Sequence, residues 1–316
     1  MTRTEVLQLV EAEGLGAYAE DLVARVRPGW RLDLDRDESG SRPAASKIGG
    51  HPDLGDGEVW PRNARGIPMT FLAQIDSSSL PQLDPAWPDP HPWAHGGELI
   101  RVFADLLDNP LEPVPAIVLV CRPSGPLTRT EAPPIPDPWP RGGPWDDWEA
   151  EDRFHVLSEA AVRPHPFLSA RETHPILKPQ QWDFSPLADR YESFAARLRV
   201  DGGDTHPGMK LLELDDHPPL PPTAYEVHHL LGEACSIQDD VRGSGVMFAE
   251  DPAWGANFAP DPALADKDAW RVLLALHFDE RIDLHIHDGG AFHVLAPVTD
   301  LAAGRYNRTV CAVDSG

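Results

Sequence analysis

The stretch "SKIGGHPDLGDGEVWP", residues 46–61, combines a lysine, paired glycines, two prolines and a tryptophan, and it decides our expectation for the fold. Gly49 and Gly50 tolerate backbone angles that other residues resist, so they predict a sharp turn into a sheet. Trp60 and Pro61 predict a large apolar ring at the start of a strand, where a proline loses no ladder hydrogen bond. We therefore favour a structural role for this stretch over a binding role.

Three segments of strand length follow: "MTFLAQID" (69–76), "GELIRVFAD" (97–105) and "PAIVLVCR" (115–122). They are rich in β-branched and aromatic residues, and turn residues bound them. Gln74 lies in the middle of the first, among apolar neighbours. If its side chain is buried, its amide needs hydrogen-bond partners, and the side chain of Lys47 or a loop backbone can provide them.

Helices are predicted from the apolar spacing at 2–27, with a glycine break, and at 147–162 and 185–200. Ser185 is the predicted N-cap of the last helix and Pro186 its first residue. A Pro-rich stretch precedes the second helix and predicts a surface loop or insertion.

The chain then returns to strands, predicted at "MKLLELD" (209–215), "GSGVMFAED" (243–251), "WRVLLALHFDE" (270–280) and "RIDLHIHDGGAFHVLAP" (281–297). Alternating residues on both sides of Asp288, Gly289 and Gly290 predict a hairpin in the last of these segments. Asp-Gly suits the positive φ values of a tight hairpin turn.

The fold class that we predict is α+β, mostly antiparallel β-sheet with N-terminal helices. We divide the chain into an N-terminal helical segment with an acidic loop, a first β unit, a Pro-rich and helical insertion and a second β unit (1–44, 45–122, 123–205 and 206–316), expected to form one compact domain. The two β units share an order: a glycine turn, a tryptophan, a strand ending in Asp, and a glycine-led strand. Internal duplication and chance similarity among amphipathic strands both explain this order.

The composition restricts the classes of partner. A net charge of −24 argues against a nucleic acid or an anionic membrane, because phosphates would be repelled. Solubility accounts for such a charge, and a basic protein partner also fits it. Cys121, Cys235 and Cys311 form no CxxC pair, which favours buried thiols in a reducing compartment. The chain starts without the apolar core of a signal peptide, and its apolar runs are too short to span a bilayer, so we expect a cytoplasmic protein.

A family resemblance rests on the quoted stretch at 46–61 together with "GIPMTFLAQIDSSSLP" (66–81) and "GELIRVF" (97–103). This order resembles the signature of the YwqG-like family of bacterial proteins of unknown function. The segments "VHHLLGEACSIQDDV" (227–241) and "HDGGAFHVLAPVTDL" (287–301) are similar to the family's later landmarks. The resemblance implies an α+β fold with much antiparallel sheet and no settled activity. The Pro-rich middle does not match clearly, and the family usually has a small residue in place of the first histidine of the last segment.

The sharpest candidate for chemistry is "HIHDGGAFH" (285–293). His285 and His287 are two residues apart on a predicted strand, so both would project from one face, as a metal-binding pair does. His293 or Asp288 could complete a site. The alternative is a solvated strand face, which we favour because no third ligand has a diagnostic spacing. We expect no cofactor, with a divalent metal as the minor alternative.

Two functional hypotheses follow from these observations. In the first, which we favour, the protein is a non-enzymatic binding protein whose acidic surface takes a basic protein partner, as an immunity protein takes a toxin. In the second, it is an enzyme or a small-ligand protein with a cleft between the two β units. Lys47, Gln74, Gln238 and Asp288 would line that cleft, with His285 and His287 as acid–base or metal groups. The two hypotheses differ in whether these side chains lie in an open cleft or inside the fold.

Overall fold

A computed structural model describes ten ranges of the chain: 1–35, 42–87, 96–107, 113–137, 155–170, 186–200, 227–234, 240–251, 258–286 and 289–314. Gln238, His287 and Asp288 lie outside these ranges, as do the strand predicted at 209–215 and the N-cap predicted at Ser185.

The described helices are α1 (Arg3–Ala12), α2 (Ala19–Arg25), α3 (Pro186–Val200), α4 (Arg242–Glu250) and α5 (Val298–Ala302). Helix α1 starts with a capping box, in which Thr2 and Glu5 exchange side-chain and backbone hydrogen bonds. Gly14 has a φ of 71° between α1 and α2, which places the break where the glycines predicted it. Both N-terminal helices and α3 confirm the predictions.

The described strands are β1 (Arg27–Asp35), β2 (Lys47–Ile48), β3 (Asp53–Leu54), β4 (Thr70–Asp76), β5 (Leu99–Ala104), β6 (Val114–Cys121), β7 (Thr128–Arg129), β8 (Ala160–Ser169), β9 (His229–Leu231), β10 (Trp270–His277), β11 (Ala291–Pro297) and β12 (Thr309–Asp314). Ten of them close into an antiparallel barrel in the order β1-β8-β2-β4-β5-β6-β12-β11-β10-β9, and β9 pairs back with β1. Strands β3 and β7 form a separate two-stranded sheet. The antiparallel sheet with N-terminal helices is confirmed, whereas the closure into a barrel was not predicted.

The barrel interior is filled by apolar side chains from all around the wall. Its core includes Trp30 of β1, Ile48 of β2, Ile100 of β5 and Phe292 of β11, each at most 3% exposed. Alternate residues of each strand point to opposite faces, so the outer face carries the remaining side chains. The interior therefore forms a packed core, and the outer face needs its own covering layers.

Separate layers cover the rest of the barrel. Helices α1, α2 and α3 pack together on Leu168 and Ala170 at the end of β8, where Leu168 lies on the same face of the strand as the core residue Val162. Helix α4 packs on β10, β11 and β12 around Trp270. Residues 55–69 cover β4 and β5, where Trp60 contacts Phe103. Each layer buries a patch that an open sheet would expose to water.

One segment that was predicted to be a helix ends in a strand, and one that was predicted to be a strand is a helix. The helix predicted at 147–162 is wrong at its described end, because residues 160–162 begin β8. The prolines at 164 and 166 are tolerated there because, among the described strands, this part of β8 pairs only with β1, and a proline costs least where a strand has one neighbour.

The strand predicted at 243–251 is helix α4. Its glycines and its β-branched Val246 are poor helix formers, but tertiary packing overrides that preference. Gly245 lies directly on the ring of Trp270, and a Cβ at this position would collide with ring atoms. The missing side chain therefore allows the helix to approach the barrel wall.

The hairpin predicted around Asp288 is also wrong in its first strand. Residues 280–282 form a short 3-10 turn that ends at Asp283, which has a left-handed φ of 50°. Strand β11 pairs with β10 and β12 instead. The segment 278–286 instead places Ile282, Leu284 and Ile286 in the barrel core. The burial of these three side chains stabilises the fold more than a continued strand would.

Candidate functional site

Three polar side chains form a row across the outer face of β2, β4 and β5. Lys47 pairs with Gln74, and Gln74 pairs with Arg101, so the three residues stand side by side in the sheet. Each of them is 0% exposed. We call Lys47, Gln74 and Arg101 the first polar row. A fully buried lysine and arginine require partners inside the protein.

Gln74 uses both ends of its amide to hold the loop that follows β2. Its Oε1 accepts a hydrogen bond from the backbone amide of Asp53 at 2.8 Å. Its Nε2 donates to Asp53 Oδ2 at 2.7 Å and to the Ala45 carbonyl at 3.0 Å. Asp53 Oδ2 also accepts from the Ala44 amide at 2.9 Å. The expectation that a loop backbone satisfies Gln74 is confirmed, and the carboxylate of Asp53 is its further partner.

Lys47 lies beneath a small group of charges. Its Nζ donates to the His51 carbonyl and lies 3.3 Å from Glu159 Oε2 and 3.9 Å from Asp53 Oδ2. Arg129 bridges the same two carboxylates from the surface side. Burial lowers the pKa of Lys47, while the negative charges of Asp53 and Glu159 oppose this shift. These contacts fix the position of the Lys47 ammonium group, and the side chain is shielded from solvent.

Arg101 closes the row with a two-pronged ion pair to Glu58. Its Nη2 donates to Glu58 Oε1 at 2.7 Å, and its Nη1 donates to Glu58 Oε2 and, at 3.2 Å, to the Asp53 carbonyl. The hydrogen bond from Arg101 lowers the pKa of Glu58. Burial raises the pKa of the neighbouring Cys121 thiol, whose Sγ lies 3.2 Å from Arg101 Nη2. A thiol with a raised pKa is a poor nucleophile, so Cys121 is not activated here.

The paired glycines turn the chain from β2 into this loop. Gly49 and Gly50 have φ values of 64° and 68°, a region that favours glycine. A Cβ on Gly49 would collide with the carbonyl oxygen of Ser158, and one on Gly50 would collide with the side chain of Glu159. Both the backbone angle and the lack of space therefore require glycine, as the sequence predicted for the turn.

Trp60 anchors the far end of the same segment. Its Nε1 donates to the Met69 carbonyl at 2.8 Å, and its ring meets Phe103 edge to face with centroids 5.5 Å apart. It is 7% exposed. This confirms the buried ring that the Trp-Pro pair predicted, but the predicted strand start is wrong, because Arg62 and Pro68 form only an isolated bridge and β4 begins at Thr70.

A second group of polar residues lies on the outer face of the other half of the barrel. His229 and His293 both pair with Ala275, and His277 stands two residues further along β10. The ring centroids of His229 and His277 are 6.3 Å apart, and those of His277 and His293 are 5.6 Å apart. We call these three histidines the second polar row.

A buried carboxylate, Glu233, lies two residues after the end of β9. Glu233 is 2% exposed, and its Oε1 lies 3.8 Å from Arg27 Nε. It follows Leu231 and Gly232, whose φ values are 57° and 93°. A leucine in the left-handed region is strained, because its Cβ approaches the backbone. His229 Nδ1 lies 2.6 Å from the Leu231 carbonyl, which helps to hold this turn.

His285 of the predicted metal pair does not stand on a strand. His285 is exposed and lies 3.1 Å from Asp283 Oδ1, with its ring against Phe278. Its predicted partner His287 lies outside the described residues. Among the described residues, no group of three or more His, Cys, Asp or Glu side chains is placed to hold a metal ion.

The comparison with known protein families gives one match. Residues 46–92 match a domain of unknown function, DUF1963. The match contains Lys47, Gln74, both turn glycines and Trp60, which are the residues that the structure places in and around the first polar row. No curated protein matches the chain. None of the described helices is long and apolar enough to cross a membrane.

Several members of these groups were missed from the sequence. Arg101 completes the first polar row, and its signal was a charged residue inside an apolar strand. Asp53 and Glu58 are the partners of the row, and their signal was the presence of carboxylates within the quoted stretch. His229 and His277 had no signal, because they are distant in sequence and only strand pairing brings them together.

Proposed function

We propose that this protein works by binding a basic protein partner and that its barrel serves as a rigid scaffold for that purpose. The observation that carries the proposal is the full burial of Lys47 and Gln74, whose polar atoms contact other residues of the fold. Because the polar atoms of Lys47 and Gln74 make their contacts within the protein, we assign both side chains a structural role. Function then lies on the surface, where the excess of negative charge is exposed.

The acidic surface that we favour lies beside helix α4. Glu250, Asp251, Asp266 and Asp268 are exposed there, and Lys267 is the one basic residue in the sequence from 250 to 268. We call these four residues the acidic edge. Opposite charges across an interface increase the rate of association and select the partner, and salt screens them.

We also propose that the two halves of the barrel derive from one duplicated unit. Three features support this. Two consecutive residues have positive φ at the end of each of β2 and β9: Gly49 and Gly50 follow β2, and Leu231 ends β9 and is followed by Gly232. Strands β4 and β10 each carry an irregularity near their start, at the third residue of β4 between Phe71 and Ala73 and at the fourth residue of β10 between Val272 and Leu274. The order β2-β4-β5-β6 is followed around the barrel by β12-β11-β10-β9. In this view the second polar row occupies the place of the first.

Affinity capture from a cell lysate tests the binding proposal. We expect the protein to recover a basic partner at low salt, and to lose it as the salt rises to about 0.5 M, where the screening length falls to a few ångström. A variant with Glu250→Gln, Asp251→Asn, Asp266→Asn and Asp268→Asn should recover at least about tenfold less of it. Asn at 266 keeps the side-chain oxygen that accepts from the Asp268 amide.

The control replaces four exposed carboxylates elsewhere, Glu20→Gln, Glu131→Gln, Asp137→Asn and Glu192→Gln. It removes the same net charge, so it should retain the partner if the acidic edge is the binding surface. Equal loss in both variants would mean that total charge matters and the edge does not. Recovery of no protein above background at low salt would contradict the proposal itself.

A further inference from the structure

We propose that the open edge of strand β6 pairs with the same edge of a second copy, which makes the protein a weak homodimer. Strand β5 accompanies β6 from Ala116 to Cys121, whereas β12 pairs only with residues 114–116. Beyond Ala116, the side of β6 that faces away from β5 has no neighbouring strand in the part of the chain that the structure describes. This inference does not depend on the binding function proposed above.

The hydrogen-bond register identifies the backbone groups that lie on this open edge. The Asp105 amide donates to the Pro115 carbonyl at 3.1 Å, so the odd-numbered residues of β6 direct their backbone groups towards β5. Even-numbered residues direct theirs to the other side, as the Ala116 carbonyl does when it accepts from Thr309 Oγ1 at 2.8 Å. The open edge is therefore formed by the N–H and C=O groups of residues 118 and 120. No described residue pairs with these groups.

Strand β6 lacks the devices that protect an open edge from pairing. Natural edge strands commonly carry a lysine, a proline or a bulge. Residues 116–121 contain no charged residue and no proline, and their register with β5 is uninterrupted. Val118 packs in the barrel core, and Ile117 and Leu119 pack against the cluster around Trp60 on the outer face. The strand is thus held firmly on one side and can accept a further strand on the other.

Charge favours a second copy over a basic partner at this edge. The residue that continues β6 is Arg122, whose Nη2 lies 3.4 Å from Glu98 Oε1. The arginine is the more exposed member of this pair, with 65% of its side chain accessible against 22% for the glutamate. A basic partner therefore meets no net negative charge here. Two copies of a chain with a net charge of −24 repel each other least where the contact surface contains no unpaired carboxylate.

An antiparallel arrangement around a twofold axis at Val120 uses the open edge of both copies. Val120 then stands opposite its counterpart, and Val118 of each copy stands opposite Arg122 of the other. This register keeps the incoming strand clear of β12, which occupies the edge up to Ala116. Because the pairing uses both edges, assembly stops at two chains. The edge is short, so we expect a transient dimer with a micromolar dissociation constant.

Sedimentation velocity of the full-length protein over a concentration series tests the inference. We expect the mass to approach that of two chains at about 100 µM. Raising the salt to about 0.5 M should strengthen the dimer, because salt screens the repulsion between two acidic copies. A basic partner should be lost under the same change, so the two proposals fail independently. A protein that stays monomeric at about 100 µM in low and high salt, or that assembles beyond the dimer, would overturn the proposal.

A proline on the open edge shows whether β6 is the interface. Val120→Pro removes an N–H that faces the open edge and no donor of the ladder with β5, so the barrel should tolerate it. It should raise the dissociation constant at least about tenfold, because each copy loses one hydrogen bond across the interface. Val120→Thr is the matched control, since it keeps the N–H and the β-branched shape, and it should leave the dimer intact.

A charge beside the edge provides a second variant, which decides if Val120→Pro does not fold. Leu119→Lys places two added cations close together in the dimer and should also raise the dissociation constant at least about tenfold. Leu7→Lys adds the same charge on helix α1, where Leu7 is 37% exposed, and should not weaken the dimer. Unchanged dimerisation of a folded Val120→Pro or Leu119→Lys protein would contradict the assignment to β6.

Discussion

Replacing Lys47 by Met is expected to lower the free energy of unfolding by about 3 kcal/mol, because breaking a buried ion pair leaves an uncompensated charge inside the protein. Lys47 is the cation between Asp53 and Glu159, and Asp53 is 1% exposed. Methionine fills nearly the same volume, so the loss reports on charge more than on packing. Urea denaturation, followed by tryptophan fluorescence, measures the change.

The control for this substitution is Lys267→Met. Lys267 is exposed, so its replacement should change the free energy of unfolding by no more than about 0.5 kcal/mol. A double variant of Lys47→Met with Glu159→Gln should recover part of the loss, because it removes one of the two carboxylates that lose the buried cation and keep only Arg129. If Lys47→Met were as stable as Lys267→Met, the lysine would not hold the fold, and an exposed role would be the better account.

Replacing Gly49 by Ala is expected to lower the free energy of unfolding by about 3 kcal/mol. Two costs add: a left-handed φ of 64° is unfavourable for alanine by about 1–2 kcal/mol, and the new Cβ forces the Ser158 carbonyl to move, at about 1–3 kcal/mol. The carbonyl belongs to the chain that leads into β8, so it cannot turn away as a side chain would. Thermal and urea denaturation provide the measurement.

Gly66→Ala is the matched control, because Gly66 also has a positive φ, 78°, but has no atom within 4 Å of the place where a Cβ would stand. It should cost about 1 kcal/mol, from the backbone angle alone. The difference between the two variants isolates the close approach of the loop to residue 158. Equal losses in the free energy of unfolding would mean that a Cβ fits on Gly49 without displacing the Ser158 carbonyl, which would contradict the structure.

The local features of the quoted stretch could be predicted because each one rests on the chemistry of a single residue type. Gly49 and Gly50 must turn, Trp60 must be buried, and an amide such as Gln74 needs partners wherever it lies in a core. The wrong predictions have a different origin. Helix α4 and strand β8 go against their residue preferences because Gly245 fits against Trp270 and because β8 has one neighbour where its prolines lie. Such causes exist only in the assembled fold.

The groups of buried charge were harder to predict than the strands that carry them. Arg101 in "LIRVF" suggests a residue facing solvent, but the loop after β2 folds back over it and supplies Glu58. The second polar row depends on register alone, since Ala275 brings His229 and His293 to one face. A single sequence contains no signal for the pairing of strands so far apart.

The central claim is that Lys47 belongs to the interior of the scaffold, and the rate at which it reacts with an amine-acetylating reagent tests this most directly. Mass spectrometry can compare Lys47 with the exposed Lys267 in the same native sample. Because the pKa of Lys47 is lowered, it would react faster than Lys267 if reagent could reach it. We expect Lys47 to react at least about a hundredfold more slowly in the native protein, as its exposure requires opening of the fold, and the two lysines to react alike in denaturant. Rapid labelling of native Lys47 would place it in an open cleft and contradict the account.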